Sequence, residues 1–247
     1  MRLQLHAREK EIPSRSALPD ADSLVNCRPN GNDPMKTGRE LFDDWAKHYD
    51  ESLAAGSAPV SFEGYDDVLA ETVLQARVNP GMSVLDVGTG TGNLAALFVA
   101  LSCDVWGTDF SGNMLAKAQE KLPGLHAVLA DLRDETWPES LARRFDRIVS
   151  AYVWHDFDLD TKMGLLRRIT GQYLAPGGRV VIADIAYPDQ ASREQARAVW
   201  GGLWSADEHY WAADETSAAC SAIGLNCTYR QVSSCAGVFV VEQTVLM

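Results

Sequence analysis

The sequence predicts an α/β fold: a doubly wound, mostly parallel sheet of seven strands. Three observations predict it. Short apolar runs alternate with helical segments of about ten residues or more, the pattern of βαβ units. The runs are apolar throughout rather than at every second residue, as in a sheet covered on both faces. One of them ends in a glycine-rich turn that opens into a helix, the place where open α/β sheets take ligands.

The elements follow in order. Residues 1–36 hold Pro13, Pro19, Pro29 and Pro34 with few large apolar side chains, and they read as a disordered tail. Leu41, Phe42, Trp45, Tyr49 and Leu53 recur at helical spacing, so a first helix is expected there. A second runs from about Tyr65 to Ala76 and stops at Asn79-Pro80-Gly81. Strands are then expected at 83–87, 104–108, 126–130, 145–151 and 179–183. Helices are expected between them at 93–101, 113–121 and 160–173. Beyond Asp184 one long helix is expected over 189–213, carrying Trp200, Trp204 and Trp211. A helix at 214–223 and two strands at 226–233 and 236–244 close the chain as an antiparallel pair. Residues 37–247 therefore read as one domain.

Composition narrows the function. The 247 residues include 22 basic and 34 acidic ones, a net charge of −12. Such a balance disfavours a general nucleic-acid binder, which needs a basic face, and an anionic membrane surface. No run of about 18 apolar residues is present to span a bilayer, and the N-terminus lacks the apolar stretch of a signal peptide. Five scattered cysteines without a CxxC pair read as reduced thiols in a cytoplasmic protein, with no metal site.

The strongest local signal is Asp86-Val87-Gly88-Thr89-Gly90-Thr91-Gly92-Asn93. Glycine there permits positive φ and lets a ligand approach bare backbone. The spacing is G-x-G-x-G. A dinucleotide fingerprint needs a third glycine where Asn93 stands, and a Walker A loop needs G-K-[ST] at its end. Neither is present.

Asp86 to Gly92 resembles the first motif of class I S-adenosylmethionine-dependent methyltransferases. Gly107-Thr108-Asp109-Phe110-Ser111, Ala130-Asp131-Leu132, Phe145 to Ser150 and Leu174 to Arg179 resemble the later motifs in the same order. Leu41 to Asp50 and Phe62 to Asp66 resemble the N-terminal segment of a group of small bacterial methyltransferases. That group shows two adjacent histidines after the fourth strand; here the pair is His155-Asp156.

The resemblance implies a set of roles. S-adenosylmethionine is the cofactor and S-adenosylhomocysteine the product. Gly88, Thr89, Gly90 and Gly92 line the cofactor. Asp86 either lies near its amino group or accepts hydrogen bonds from its own loop. Asp109 takes the ribose hydroxyls, since a carboxylate accepts two O–H donors at once. Asp131 faces the adenine, with Leu132, Phe110 and Met114 beside the ring. Tyr49 reaches the methionine end, while Trp45 packs in the core. Tyr152, Trp154, His155 and Asp156 follow the fourth strand and face the substrate. His155 is the candidate general base, because its ordinary pKa lies near working pH. Trp200 and Trp204 are candidate walls of a substrate pocket; packing as a helical cap is the other reading.

The expected function is methyl transfer to a small-molecule acceptor, oxygen or nitrogen before carbon. A homodimer is compatible with the sequence. Two alternatives stay open: a methyltransferase acting on protein or tRNA, and a non-catalytic protein that binds S-adenosylmethionine or S-adenosylhomocysteine.

Overall fold

The computed structural model describes residues 62–244. The expected tail, the helix over 41–53, Trp45 and Tyr49 lie outside the described residues. Helix α1 (Tyr65–Ala76) precedes strand β1 (Ser83–Val87). Then come α2 (Asn93–Ala100), β2 (Asp104–Asp109), α3 (Gly112–Lys121), β3 (His126–Leu129) and β4 (Phe145–Ala151). A 3-10 turn at Trp154–Asp156 leads to α4 (Leu159–Gln172), β5 (Leu174–Tyr187) and α5 (Gln190–Trp200). The described chain ends with β6 (Trp211–Ala212), α6 (Ala213–Ala222), β7 (Leu225–Gln231) and β8 (Ala236–Gln243).

The sheet order is β3-β2-β1-β4-β5-β8-β7, with β6 pairing the end of β5. The first five strands are parallel, and β8 runs antiparallel to both neighbours. The seven expected strands are all present; the two-residue β6 is an addition. Chain order reverses between β1 and β4, which opens a crevice at their carboxyl ends.

Why the strands are apolar at every residue follows from the two cores. Leu85, Val87, Ile148, Val180 and Ile182 pack on one face with Leu166 and Ile169 of α4. Their sequence neighbours Val84, Val149 and Val181 pack on the other with Val68, Leu94 and Phe98. Alternate residues point to opposite faces, and helices cover both.

Two boundaries differ from the sequence reading. The long helix over 189–213 is not formed. It ends at Trp200, where Gly201 takes φ +53, and Gly201–Leu203 is a 3-10 turn. Two consecutive glycines disfavour helix by roughly 1 kcal/mol each, and Trp211 joins the sheet instead. Strand β5 is far longer than 179–183. Its register jumps from Phe145–Leu174 to Arg147–Arg179, so Ala175–Gly178, within the motif Leu174 to Arg179, protrudes inside the strand. At the other end the strand continues through Asp184, because that buried acid is fully hydrogen-bonded. Among the described residues no helix is long and apolar enough to cross a membrane.

Candidate functional site

The loop after β1 is built by its glycines and threonines. Gly88 has φ +71, and a Cβ there would lie 2.4 Å from Val153. That glycine is demanded by packing. Gly90 has φ +54, and a Cβ there would meet nothing within 4 Å. It leaves bare backbone facing open space. The Thr89 N–H donates to the Thr108 carbonyl at 2.8 Å, pinning the loop to β2. Gly92 then caps α2.

Two acids hold this loop. The Asp109 carboxylate, at the end of β2, accepts from the Gly90 N–H and the Ser111 N–H, each at 2.9 Å. A carboxylate has about four lone-pair sites, so it keeps capacity for further donors. Asp86 is 1% exposed. Its Oδ2 accepts from Thr89 Oγ1 at 2.8 Å, while its Oδ1 is buried without a hydrogen-bond partner. Burial pushes its pKa up to about 7; the Thr89 hydrogen bond and the nearby Ala95 backbone N–H oppose this, and the Asp109 charge adds to it. The two acids held under this loop, Asp86 through Thr89 and Asp109 through the Gly90 N–H, beneath open backbone at Gly90, suit a cationic ligand. These residues therefore fit S-adenosylmethionine, whose amino group and sulfonium are cationic.

The next residues expected at the site follow the end of β3. Asp131 pairs with Arg133, Nη2 to Oδ2 at 2.6 Å and Nε to Oδ1 at 3.0 Å. Arg133 is 67% exposed and Asp131 15%, so the two-pronged pair joins a largely buried carboxylate to a guanidinium at the surface. Leu132 and Met114 are buried, the first within the core, and Phe110 is half-buried.

The residues expected to face the substrate separate. Tyr152, just past β4, takes φ +57, a backbone strain of about 1–3 kcal/mol for a side chain this large. Its N–H donates to the Ala183 carbonyl at 2.9 Å. Its ring clusters with those of Phe62 at 4.7 Å and Tyr65 at 5.5 Å, which also touch each other. Trp154 is fully buried, 6.2 Å from Trp211, in the core with α4. The 3-10 turn aims it inward, so the structure places it in the core rather than on a pocket wall. Trp200 is also buried, and the half-buried Trp204 lies 5.7 Å from it and 4.5 Å from Tyr210.

His155 is tied from two sides. Its Nδ1 lies 2.7 Å from Oδ1 of the buried Asp184 in β5. Its carbonyl accepts from the His209 N–H at 2.6 Å. Nε2 lies 3.9 Å from Asp156, and Glu208 brings a carboxylate oxygen into the same group of atoms, all within 4.8 Å. Burial alone would lower the His155 pKa. The charge and hydrogen bond of Asp184, then Asp156 and Glu208, outweigh it and push the value up to about 9. The sequence placed this histidine near its ordinary pKa; the structure instead makes it a charged imidazolium at neutral pH. The carboxylates around it are the reason.

Two residues here escaped the sequence reading. Asp184 interrupts Ile182-Ala183-Asp184-Ile185-Ala186, and an acid inside a two-sided buried strand needs a partner; that signal was legible. Lys162 carries no such signal. It lies buried on α4, donates to the His209 carbonyl, and sits 4.1 Å over the Trp211 ring. Burial lowers its pKa to about 8. A cavity of about 260 Å³ opens beside Lys162, Arg193, Trp204 and Trp211.

Comparisons with known proteins agree with the fold. Residues 62–229 match the family described as a methyltransferase domain. An uncharacterised methyltransferase of Geobacillus kaustophilus is 36% identical over 167 residues, covering 64% of this chain and 73% of that protein. Two solved structures share the fold. A DhpI–SAM–HEP complex has a TM-score of 0.64 at 20% identity, covering 81% of this chain and 94% of that one. A complex between the Haloferax volcanii Trm112 methyltransferase activator and a methyltransferase has a TM-score of 0.62 at 17% identity, covering 83% and 98%.

Proposed function

The chain belongs to the methyltransferase-domain family, and we propose that this enzyme moves the methyl of S-adenosylmethionine to a small-molecule acceptor, oxygen or nitrogen. One observation carries the reading. The open backbone at Gly90, the unpartnered Asp86 Oδ1 and the ring of His155 all stand at the carboxyl side of β1, β4 and β5. When bound, S-adenosylmethionine supplies an electrophilic methyl on a sulfonium whose leaving group is a neutral thioether.

The chain's own residues do the rest. Asp86 balances positive charge at the amino end, where Tyr49 is also assigned. Gly88, Thr89, Gly90 and Gly92 offer backbone, and Asp109 accepts hydroxyl donors. Asp131 releases Arg133 to accept an amino group, and Leu132, Phe110 and Met114 form the apolar side. Tyr152 and Trp204 bound the acceptor's space, with Trp200 packed behind Trp204. With Nδ1–H directed at Asp184, the neutral form of His155 keeps its basic lone pair on Nε2. That nitrogen takes the proton an acceptor O–H or N–H loses. Positioning the acceptor in line supplies most of the remaining gain. The cavity of about 260 Å³, lined by Trp204, Tyr210 and Trp211 together with Lys162, Arg193 and Glu208, suits a small polar organic molecule, and the acidic surplus disfavours a polyanion.

The test is calorimetry of S-adenosylmethionine against the wild type and Asp109→Ala, followed by a screen of small acceptors for S-adenosylhomocysteine release. The reading expects binding that weakens at least about tenfold in the variant, and release with a subset of acceptors. No binding by the wild type, or an unchanged variant, would overturn it.

A further inference from the structure

We propose that Asp184, backed by Trp211, is the positioning residue that fixes His155 for proton uptake at Nε2; this deepens the preceding reading and rests on it for the role of His155. The contacts are complete. Asp184 is 0% exposed. Oδ1 accepts from the Ile185 N–H at 2.9 Å and meets His155 Nδ1 at 2.7 Å. Oδ2 accepts from Trp211 Nε1 at 3.0 Å. Trp211 is itself held by β6 pairing to the end of β5 and by Lys162 over its ring. Two residues upstream, the His209 N–H grips the His155 carbonyl. The segment 209–212 thus holds the backbone of His155 directly and its ring through Asp184.

This geometry selects a tautomer. A buried carboxylate without a proton accepts only, so Nδ1 must carry hydrogen and Nε2 must be the basic nitrogen in the neutral ring. In the transfer, the acceptor's O–H or N–H bond breaks, its proton bonds to Nε2, and the ring becomes an imidazolium facing Asp184. The charged groups facing this pair among the described residues are Asp184 on β5, Asp156 on the turn of His155, and Glu208 on the 204–210 segment. Lys162 reaches Asp184 from α4. Asp184 supplies the largest share of the upward push on His155.

The experiment compares wild type, Asp184→Asn and Trp211→Phe. The His155 ring is titrated by NMR, its signal assigned through His155→Gln, and kcat and KM are measured across pH. An asparagine amide can offer its N–H to Nδ1 and so favour the wrong tautomer. The proposal expects the His155 midpoint in Asp184→Asn to fall by at least about one pH unit, since the charge within hydrogen-bond distance is gone. It expects kcat to fall about 10²–10⁴-fold, with calorimetric affinity for S-adenosylmethionine and its KM within about threefold of wild type. Trp211→Phe keeps an aromatic ring and drops one donor to Asp184, which leaves the carboxylate more basic toward Nδ1, so it expects a smaller shift of the His155 midpoint in the upward direction; it carries the test if Asp184→Asn does not fold. A midpoint that stays in place in the folded variants overturns the proposal, as does a kcat within threefold of wild type. The titration reads without turnover, so a chain that methylates none of the acceptors contradicts the preceding function while leaving this test decisive.

Discussion

Asp86 leaves one carboxylate oxygen without a donor in a place closed to water. Its raised pKa has a consequence for stability. The folded chain keeps a proton there up to about 7, while the unfolded chain loses it near 3.8. Stability from this group is therefore greatest at low pH and declines as pH rises from about 4 to 7. Asp86→Asn should stabilise the ligand-free protein by about 1–3 kcal/mol at pH 8 and by little at pH 4. Denaturant unfolding at the two pH values checks this; equal effects would contradict it. At His155 the sign is opposite. Its folded pKa of about 9 exceeds the ordinary 6.5, so its stabilisation is full below pH 6.5 and is lost as pH rises toward 9. Its basic form grows over the same window. Turnover should climb with pH, inflecting at or below about 9, because a bound cation lowers the value. His155→Gln should lose about 10²–10⁴-fold in kcat, with donor binding retained. At this scale Asp86, Asp109 and the glycines were legible because the turn needs those residue types in that spacing. The Asp184–His155 pair was not. The partners lie 29 positions apart, and only the packing of β5 against the turn after β4 brings them together.

Glycines decide the element scale. Gly88 and Gly90 look equivalent in sequence, and the structure separates them. Gly88→Ala drives a Cβ into Val153, two residues before His155, so it should cost about 1–3 kcal/mol through overpacking. Its φ of +71 adds strain. Gly90→Ala meets no neighbour and should cost only about 1 kcal/mol of backbone strain. The order reverses for ligand: Gly90→Ala should weaken S-adenosylmethionine binding more, because its Cβ enters the open space. Melting temperatures and calorimetry on the two variants check the crossing; a parallel ranking would contradict it. Every strand that was expected formed, since apolar runs read through to a covered sheet. The helix over 189–213 was misread for a physical reason. Its tryptophans occur at helical spacing, but Gly201-Gly202 breaks the helix and Trp211 gains a hydrogen bond to Asp184.

For the whole molecule, the sheet order places the reversal between β1 and β4, beside the loop of Gly88–Gly92. The motif order along the chain foretold that placement. The antiparallel closure by β7 and β8 followed from the terminal strand pair. The acceptor did not follow, because the cavity beside Lys162, Arg193, Trp204 and Trp211 is assembled from segments far apart in the chain, whose packing no local pattern encodes. The net charge of −12 acts at the same scale: it favours a cationic donor over a polyanion. The central claim is transfer to a small molecule. The direct test incubates the chain with methyl-labelled S-adenosylmethionine and a cell extract, then separates low-mass compounds from protein and RNA. The label is predicted in the low-mass fraction, absent when His155→Gln replaces the wild type. Label accumulating in protein or RNA, with the low-mass fraction unlabelled, would contradict the account.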